Sequence, residues 1–139
     1  MEVKTLSFHV SSKGNTDIID ITDTVQSKLK ESGLRNGNVL IFAPGSTAGI
    51  TTIENEPGLL QDYPEFFERI IPVKAGYHHD ATWDDGNGYA HVRASLQGAS
   101  FTVPFSERKL MLGTWQQIIL IDFDSRSRKR NVITQFIGE

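Results

Sequence analysis

The last forty residues constrain this chain most. They read "ASFTVPF", "KLMLG", "WQQIILIDFD" and "KRNVITQFIG", four strand-like runs in succession with no helical pattern between them. Each is rich in Val, Ile and Phe, and the intervening "FSERK" and "DSRSRK" segments suit turns. Strands that follow one another without a crossover helix pair most simply as antiparallel neighbours. The first half is different. "KTLSFHVS" alternates apolar and polar residues, as a half-buried strand does. "DITDTVQSKLKESG" reads as a short helix, with Thr22 or Asp20 as its cap, Val25 and Leu29 on one face, and Gly33 as its stop. "NVLIFAP" is a continuous apolar run that predicts a buried strand, and "GITTIENE" predicts the next. "PGLLQDYPEFFERIIP" places Leu59, Tyr63, Phe66, Phe67 and Ile70 at helical spacing, with Pro64 a point where the helix breaks or restarts. Interleaved strands and helices followed by strands alone predict an α+β fold with a large, mostly antiparallel β-sheet and a few helices. No repeat or low-complexity linker divides residues 1–139, which predicts one domain.

Composition narrows the function classes. The formal charge is −3, which argues against a dedicated nucleic-acid binder. Cysteine is absent, so a metal here must be held by His, Asp or Glu, and no thiol nucleophile exists. No run approaches the roughly 18–20 apolar residues that span a bilayer. The start, "MEVKTLSFHV", lacks the pattern of a secretion signal. The expected location is the cytoplasm, without a membrane partner.

Chemistry concentrates in "YHHDATWDDGNGYAHVRASLQG", Tyr77 to Gly98, which holds three of the four histidines, three aspartates and Asn87. "DDGN" is turn chemistry and ends a loop. From Asn87 onward the pattern predicts a helix, with Tyr89, Val92 and Leu96 as its apolar stripe and Gly98 as its stop. Asn87, His91 and Ser95 recur every four residues on another face, which can point into a cleft. His79 and His91 are candidate Zn²⁺ ligands, with a carboxylate as the third. Their spacing of twelve matches no stereotyped metal motif, and an exposed or hydrogen-bonded helix histidine is the plainer reading of His91.

Three further patches carry candidate roles. In "APGSTAGITTIENE", the small residues from Gly45 to Gly49 let backbone N–H groups approach a phosphate, and Ser46 and Thr47 add hydroxyl donors. A tight connection between strands is the alternative. "TIENE" alternates, so Glu54 and Glu56 would share one face of a strand and could hold Mg²⁺ or act as a base. "DFDSRSRKR" sets Arg128 among Asp122, Asp124, Arg126 and Arg130, as a phosphate clamp or a charged hairpin turn.

In order along the chain, "PGSTAGITTIENEPGLLQDY", "YHHDATWDDGNGYAHVRASLQGASFTVPF" and "LMLGTWQQIILIDFD" resemble the YjbQ-like family. The "GTWQ" at Gly113–Gln116 and the "GN" and "AH" between Gly86 and His91 are the most specific parts. Many members are known as secondary thiamine-phosphate synthases and many are uncharacterised. The resemblance implies an α+β homotrimer whose cleft gathers His79, Asn87, His91, Trp115, Gln116 and Glu54. It implies His79, His91, Glu54 and Asn87 as catalytic groups. Ser46, Thr47, Trp115, Gln116 and Arg128 would bind a small phosphorylated substrate. Zn or Mg is the expected cofactor, with His79 and His91 as metal ligands. Three functions follow as expectations: joining a pyrimidine diphosphate to a thiazole phosphate, Zn-dependent hydrolysis of a phosphate ester, and non-catalytic binding of a small anionic metabolite. Many members have His-Thr-Thr-Ala where this chain has Gly45-Ser46-Thr47-Ala48, so a histidine present in relatives is missing here.

Overall fold

The computed structural model describes every residue, Met1–Glu139. The elements run β1 (Glu2–Ser12), β2 (Asp17–Asp20), α1 (Thr22–Ser32), β3 (Gly37–Phe42), β4 (Ala48–Ile53) and α2 (Pro57–Ile70). They continue with α3 (His78–Trp83), α4 (Gly88–Gln97), β5 (Ser100–Ser106), β6 (Lys109–Leu110), β7 (Gln117–Asp122) and β8 (Arg128–Gly138). The fold is α+β, and every strand pairing is antiparallel.

The β structure divides into a five-stranded sheet, β1-β8-β3-β5-β6, and a three-stranded one, β2-β7-β4. β7 explains the layering. Its Ile118 and Leu120 join one core with Val25 and Leu29 of α1 and with Val39, Ile41, Val103 and Phe136 of the larger sheet. Its Ile119 and Ile121 join a second core with Phe67 of α2 and with Tyr89, Ala90 and Ala94 of α4. The three-stranded sheet is therefore a middle layer, covered on both faces. That is why "IILI" is continuously apolar rather than alternating.

α1 follows the expected pattern. Gly33 ends it with φ 75°, a left-handed conformation that costs glycine little. The cap position itself is Ile21, not Thr22 or Asp20, and its side chain makes no capping bond; Asp20, one residue earlier, accepts the Thr22 amide through Oδ1 at 2.9 Å. Other expectations are corrected. β3 is buried on one face only: Val39 and Ile41 are enclosed, while Leu40 and Phe42 face outward. α2 passes through Pro64 without interruption. Residues 78–83, expected as loop, form the short helix α3, stopped by Asp84 at φ 53°. α4 begins where expected, but Val92 and Leu96 are exposed. The inward face of α4 is Tyr89, Ala90, Arg93 and Ala94.

Arg93 occupies a core position because every donor it turns inward is used. Its Nε and Nη2 donate to the Ile71 carbonyl at 2.9 and 2.8 Å. Nη1 donates to Thr16 Oγ1 and Nη2 also to Glu68. Its guanidinium lies 5.0 Å from the Tyr89 ring centroid. A sequence stripe cannot anticipate a buried arginine, since burial is tolerable only with all these partners in place.

Candidate functional site

Helices α3 and α4 bring two of the candidate residues together: the His79 and His91 rings lie 4.3 Å apart, centroid to centroid, tilted by 36°. Gly88 permits the approach. A Cβ there would stand 2.7 Å from Tyr77 Cβ and 2.9 Å from Asp80 Oδ1. Asp80 Oδ1 instead accepts the Gly88 amide at 2.8 Å, supplying a cap to α4 from the helix before it. Asn87 holds the position before the first turn, yet its side chain does not cap.

His79 Nδ1 lies 3.4 Å from Asp80 Oδ1 and 3.5 Å from Asp85 Oδ1. One donor atom from each of His79, Asp80 and Asp85 falls within 4.8 Å of the others, a set that a single cation could bridge. The His91 ring faces that of His79. Near-stacked imidazoles send their in-plane lone pairs side by side rather than to a common point. Burial, and then the neighbouring His79, push the His91 pKa below its ordinary value, so its imidazole is neutral at pH 7.

His91 and Ser95 open onto a cavity of about 290 Å³. Gly45, Ser46 and Ala48 of the β3–β4 connection line it too, with Ala94, Gly98 and Ala99. The face of α4 that carries His91 and Ser95 thus meets the small-residue loop, although 46 positions separate Gly45 from His91 in the chain.

Beneath lies a buried charge network. Asp124 receives hydrogen bonds from the Ser125 amide, Asn87 Nδ2, Thr47 Oγ1 and Arg128. Burial opposes its ionisation, but these donors outweigh burial and hold the pKa down to about 2. Asp122 pairs with Arg130 through two bonds of 2.7 and 2.8 Å and accepts Ser12 Oγ at 2.5 Å. Burial opposes ionisation here as well; Arg130, Ser12 and the Asp124 amide reverse the effect and lower its pKa. Asn87 Oδ1 is buried with no protein partner, an acceptor aimed at nothing the chain supplies.

The candidate residues therefore fall into two groups. His79, Asn87, His91, Ser46, Thr47 and Arg128 gather around one end of the three-stranded sheet. Glu54, Trp115 and Gln116 lie at the other. β4 ends at Ile53, so Glu54 is an exposed residue beyond it and shares no strand face with Glu56. Glu56 instead caps α2, accepting the Gly58 and Leu59 amides. With about 3.3 Å of rise per residue, the length of β4 puts Glu54 roughly 20 Å from Ala48. Gln116 Nε2 donates to Thr52 Oγ1 at 3.0 Å and Gln116 Oε1 accepts the Gly113 amide, which sets the turn carrying Trp115. Trp115 is 72% exposed and belongs to that turn, not to a strand. Asp80, Asp85 and Arg130 lie inside stretches that the sequence singles out, but their roles depend on what faces them across the fold.

No helix is long and apolar enough to cross a membrane. The family model for UPF0047 protein YjbQ-like matches residues 6–139. A UPF0047 protein of Archaeoglobus fulgidus is 41% identical over 117 residues, covering 84% of this chain and 89% of that one. The UPF0047 protein YugU of Bacillus subtilis is 35% identical over 137 residues, covering 98% and 99%. Among solved structures, a hypothetical protein of Aeropyrum pernix K1 superposes with a TM-score of 0.91 at 31% identity, covering 98% of this chain and 99% of that one. A YbjQ-like protein of unknown function from Sulfolobus solfataricus P2 superposes at 0.89 and 31% identity, covering 99% and 100%. The match through both the histidine helices and the Gly113–Gln116 turn, over nearly the full length, means that this chain belongs to the UPF0047 YjbQ-like family.

Proposed function

We propose that the protein is a metal-assisted enzyme acting on a small phosphorylated metabolite. The observation that carries this reading is the convergence of His79, Asp80 and Asp85 beside the neutral His91, which itself lines the cavity. One imidazole and two carboxylates suit Zn²⁺ better than Mg²⁺, which favours an all-oxygen shell. A bound ion would polarise a phosphoryl oxygen and lower the pKa of its water. His91 is the proton acceptor, since it is neutral at pH 7 and open to the cavity. Ser46 offers its hydroxyl to a substrate oxygen, whereas the Ser95 hydroxyl donates to the His91 carbonyl at 2.8 Å. Asn87 spans from Asp124 to the start of α4 and so steadies the helix that carries His91.

Hydrolysis of a phosphate ester is the reaction this single-chain cleft favours. Joining a pyrimidine diphosphate to a thiazole phosphate needs a flat slot for the pyrimidine. No Phe, Tyr or Trp lines the cavity. Tyr77 is spent on the Pro72 carbonyl, and Trp115 stands at the far end of the sheet. Self-association is the route by which Trp115 and Glu54 could reach a neighbour's cleft. Leu40, Phe42 and Ile137 form an exposed apolar strip on the outer face of the large sheet, which suits the homotrimer that the family resemblance implies.

Elemental analysis of the purified protein tests the metal reading. Near-stoichiometric zinc, lost in His79→Ala, supports it, together with release of phosphate from small esters. Turnover that persists undiminished in chelator-stripped protein sinks it. Formation of thiamine phosphate from the two precursors with Mg²⁺ would restore the synthase reading over hydrolysis.

A further inference from the structure

The connection between β3 and β4 carries three consecutive amides, at Gly45, Ser46 and Thr47, that donate to no acceptor in the chain. Ser46 Oγ is unbonded too. Gly45 and Ser46 face solvent at the cavity wall, whereas Thr47 is only 5% exposed. Successive N–H groups without an acceptor in the chain make a concavity suited to an anion.

Arg130 stands beneath this loop. Its Nε and Nη2 are held by Asp122, and Nη2 also donates to Thr47 Oγ1 at 2.7 Å. Nη1 makes no hydrogen bond. It lies 3.5 Å from where a Cβ at position 45 would stand. Position 45 is glycine with φ 124°, a conformation that strains any other residue, so nothing covers this edge of the guanidinium. Asp122 fixes the guanidinium plane in advance, so little side-chain freedom remains to be lost on binding. Arg128 is different: its Nε and Nη2 both donate to one oxygen of Asp124, the oxygen that also accepts Thr47 Oγ1.

We propose that the Gly45, Ser46 and Thr47 amides and Arg130 Nη1 form an oxyanion subsite that holds the phosphate of the substrate, and that Gly45 is the residue that keeps it open. This rests on the reading that the cleft takes a phosphorylated metabolite, but it needs no metal. Arg130 and Arg128 are each balanced by a buried aspartate, so the subsite acts by directed N–H donors more than by net charge. That favours a compact tetrahedral oxyanion over a polyanionic surface or polymer.

The test is a titration of inorganic phosphate into the full chain with chelator present, followed by ¹⁵N–¹H NMR of backbone amides and of the arginine Nε–H groups. Saturable shifts at Gly45, Ser46, Thr47 and Arg130 are expected. Gly45→Ala, which covers Nη1, should weaken binding about tenfold or more, and Arg130→Lys should do the same if its melting temperature shows it folded. Absence of shifts at these groups, or unchanged affinity in Gly45→Ala, overturns the subsite. Phosphate binding that appears only with added Zn²⁺ and leaves Arg130 unmoved also overturns it. Phosphate bound as expected by protein that takes up no metal would overturn the metal reading alone.

Discussion

Asn87 donates from Nδ2 to Asp124 Oδ1 at 3.3 Å, which ties the start of α4 to the residues just beyond β7. Asp124 also binds Thr47, next to the cavity loop, and Arg128 on β8. One buried carboxylate thus joins the histidine helix, the small-residue loop and the large sheet. Asp124→Ala leaves Asn87, Thr47 and Arg128 without their acceptor. It should cost about 3–5 kcal/mol of stability, as breaking a buried pair does, measurable by urea denaturation.

The same carboxylate sets an acid limit. Its pKa is about 2 in the fold, against 3.8 ordinarily, so the native state holds the ionised form more strongly than the unfolded chain does. The stabilisation it supplies is complete above pH 4 or so and is lost as pH falls through about 2. Asp122, also lowered, acts in the same direction. Melting temperature followed from pH 5 down to pH 2 should stay level to about pH 4 and then fall progressively. Asp124→Asn should flatten the drop.

Gly88→Ala forces α3 and α4 apart, because the new methyl meets Tyr77 and Asp80 at under 3 Å. The contacts are with the Tyr77 Cβ and ring root and with Asp80 Oδ1, and the tyrosine root cannot yield cheaply, so about 1–3 kcal/mol of stability should be lost. Metal affinity, read by competition with a chromogenic chelator, should fall at least tenfold, since Asp80 must move away from His79.

His91→Gln removes the neutral base while keeping a polar side chain. Turnover of a phosphate ester should fall about 10²–10⁴-fold, with metal content near that of the parent. His79→Ala should instead lose both metal and turnover. Equal metal loss in both variants would assign His91 to the ion rather than to proton transfer.

Phe42→Asp with Leu40→Lys places charges on the exposed strip of the large sheet. If that strip is the subunit interface, sedimentation should show monomers in place of trimers, with the secondary structure retained by circular dichroism. A trimer that persists would place the interface elsewhere.

What the sequence alone determined was mostly local or periodic. Alternation in "KTLSFHVS", the left-handed stop at Gly33, and strand-only chemistry after Ala99 dictated an α+β chain with antiparallel pairing. Asn87, His91 and Ser95 were legible as one helix face because helical spacing is a local property. α3 was not legible, because six residues are too few to show a period. The inward arginine of α4 was not legible either, because its partners come from α2 and from the loop after β1. The tertiary structure decided which candidates meet. It carried Glu54 and Trp115 to the far end of β4 and β7, and it set Arg130 under Gly45 and Asp124 under Asn87. Those pairings join residues from separate elements, and hydrogen-bond and Coulomb energies depend on distance in space, which no spacing along the chain encodes.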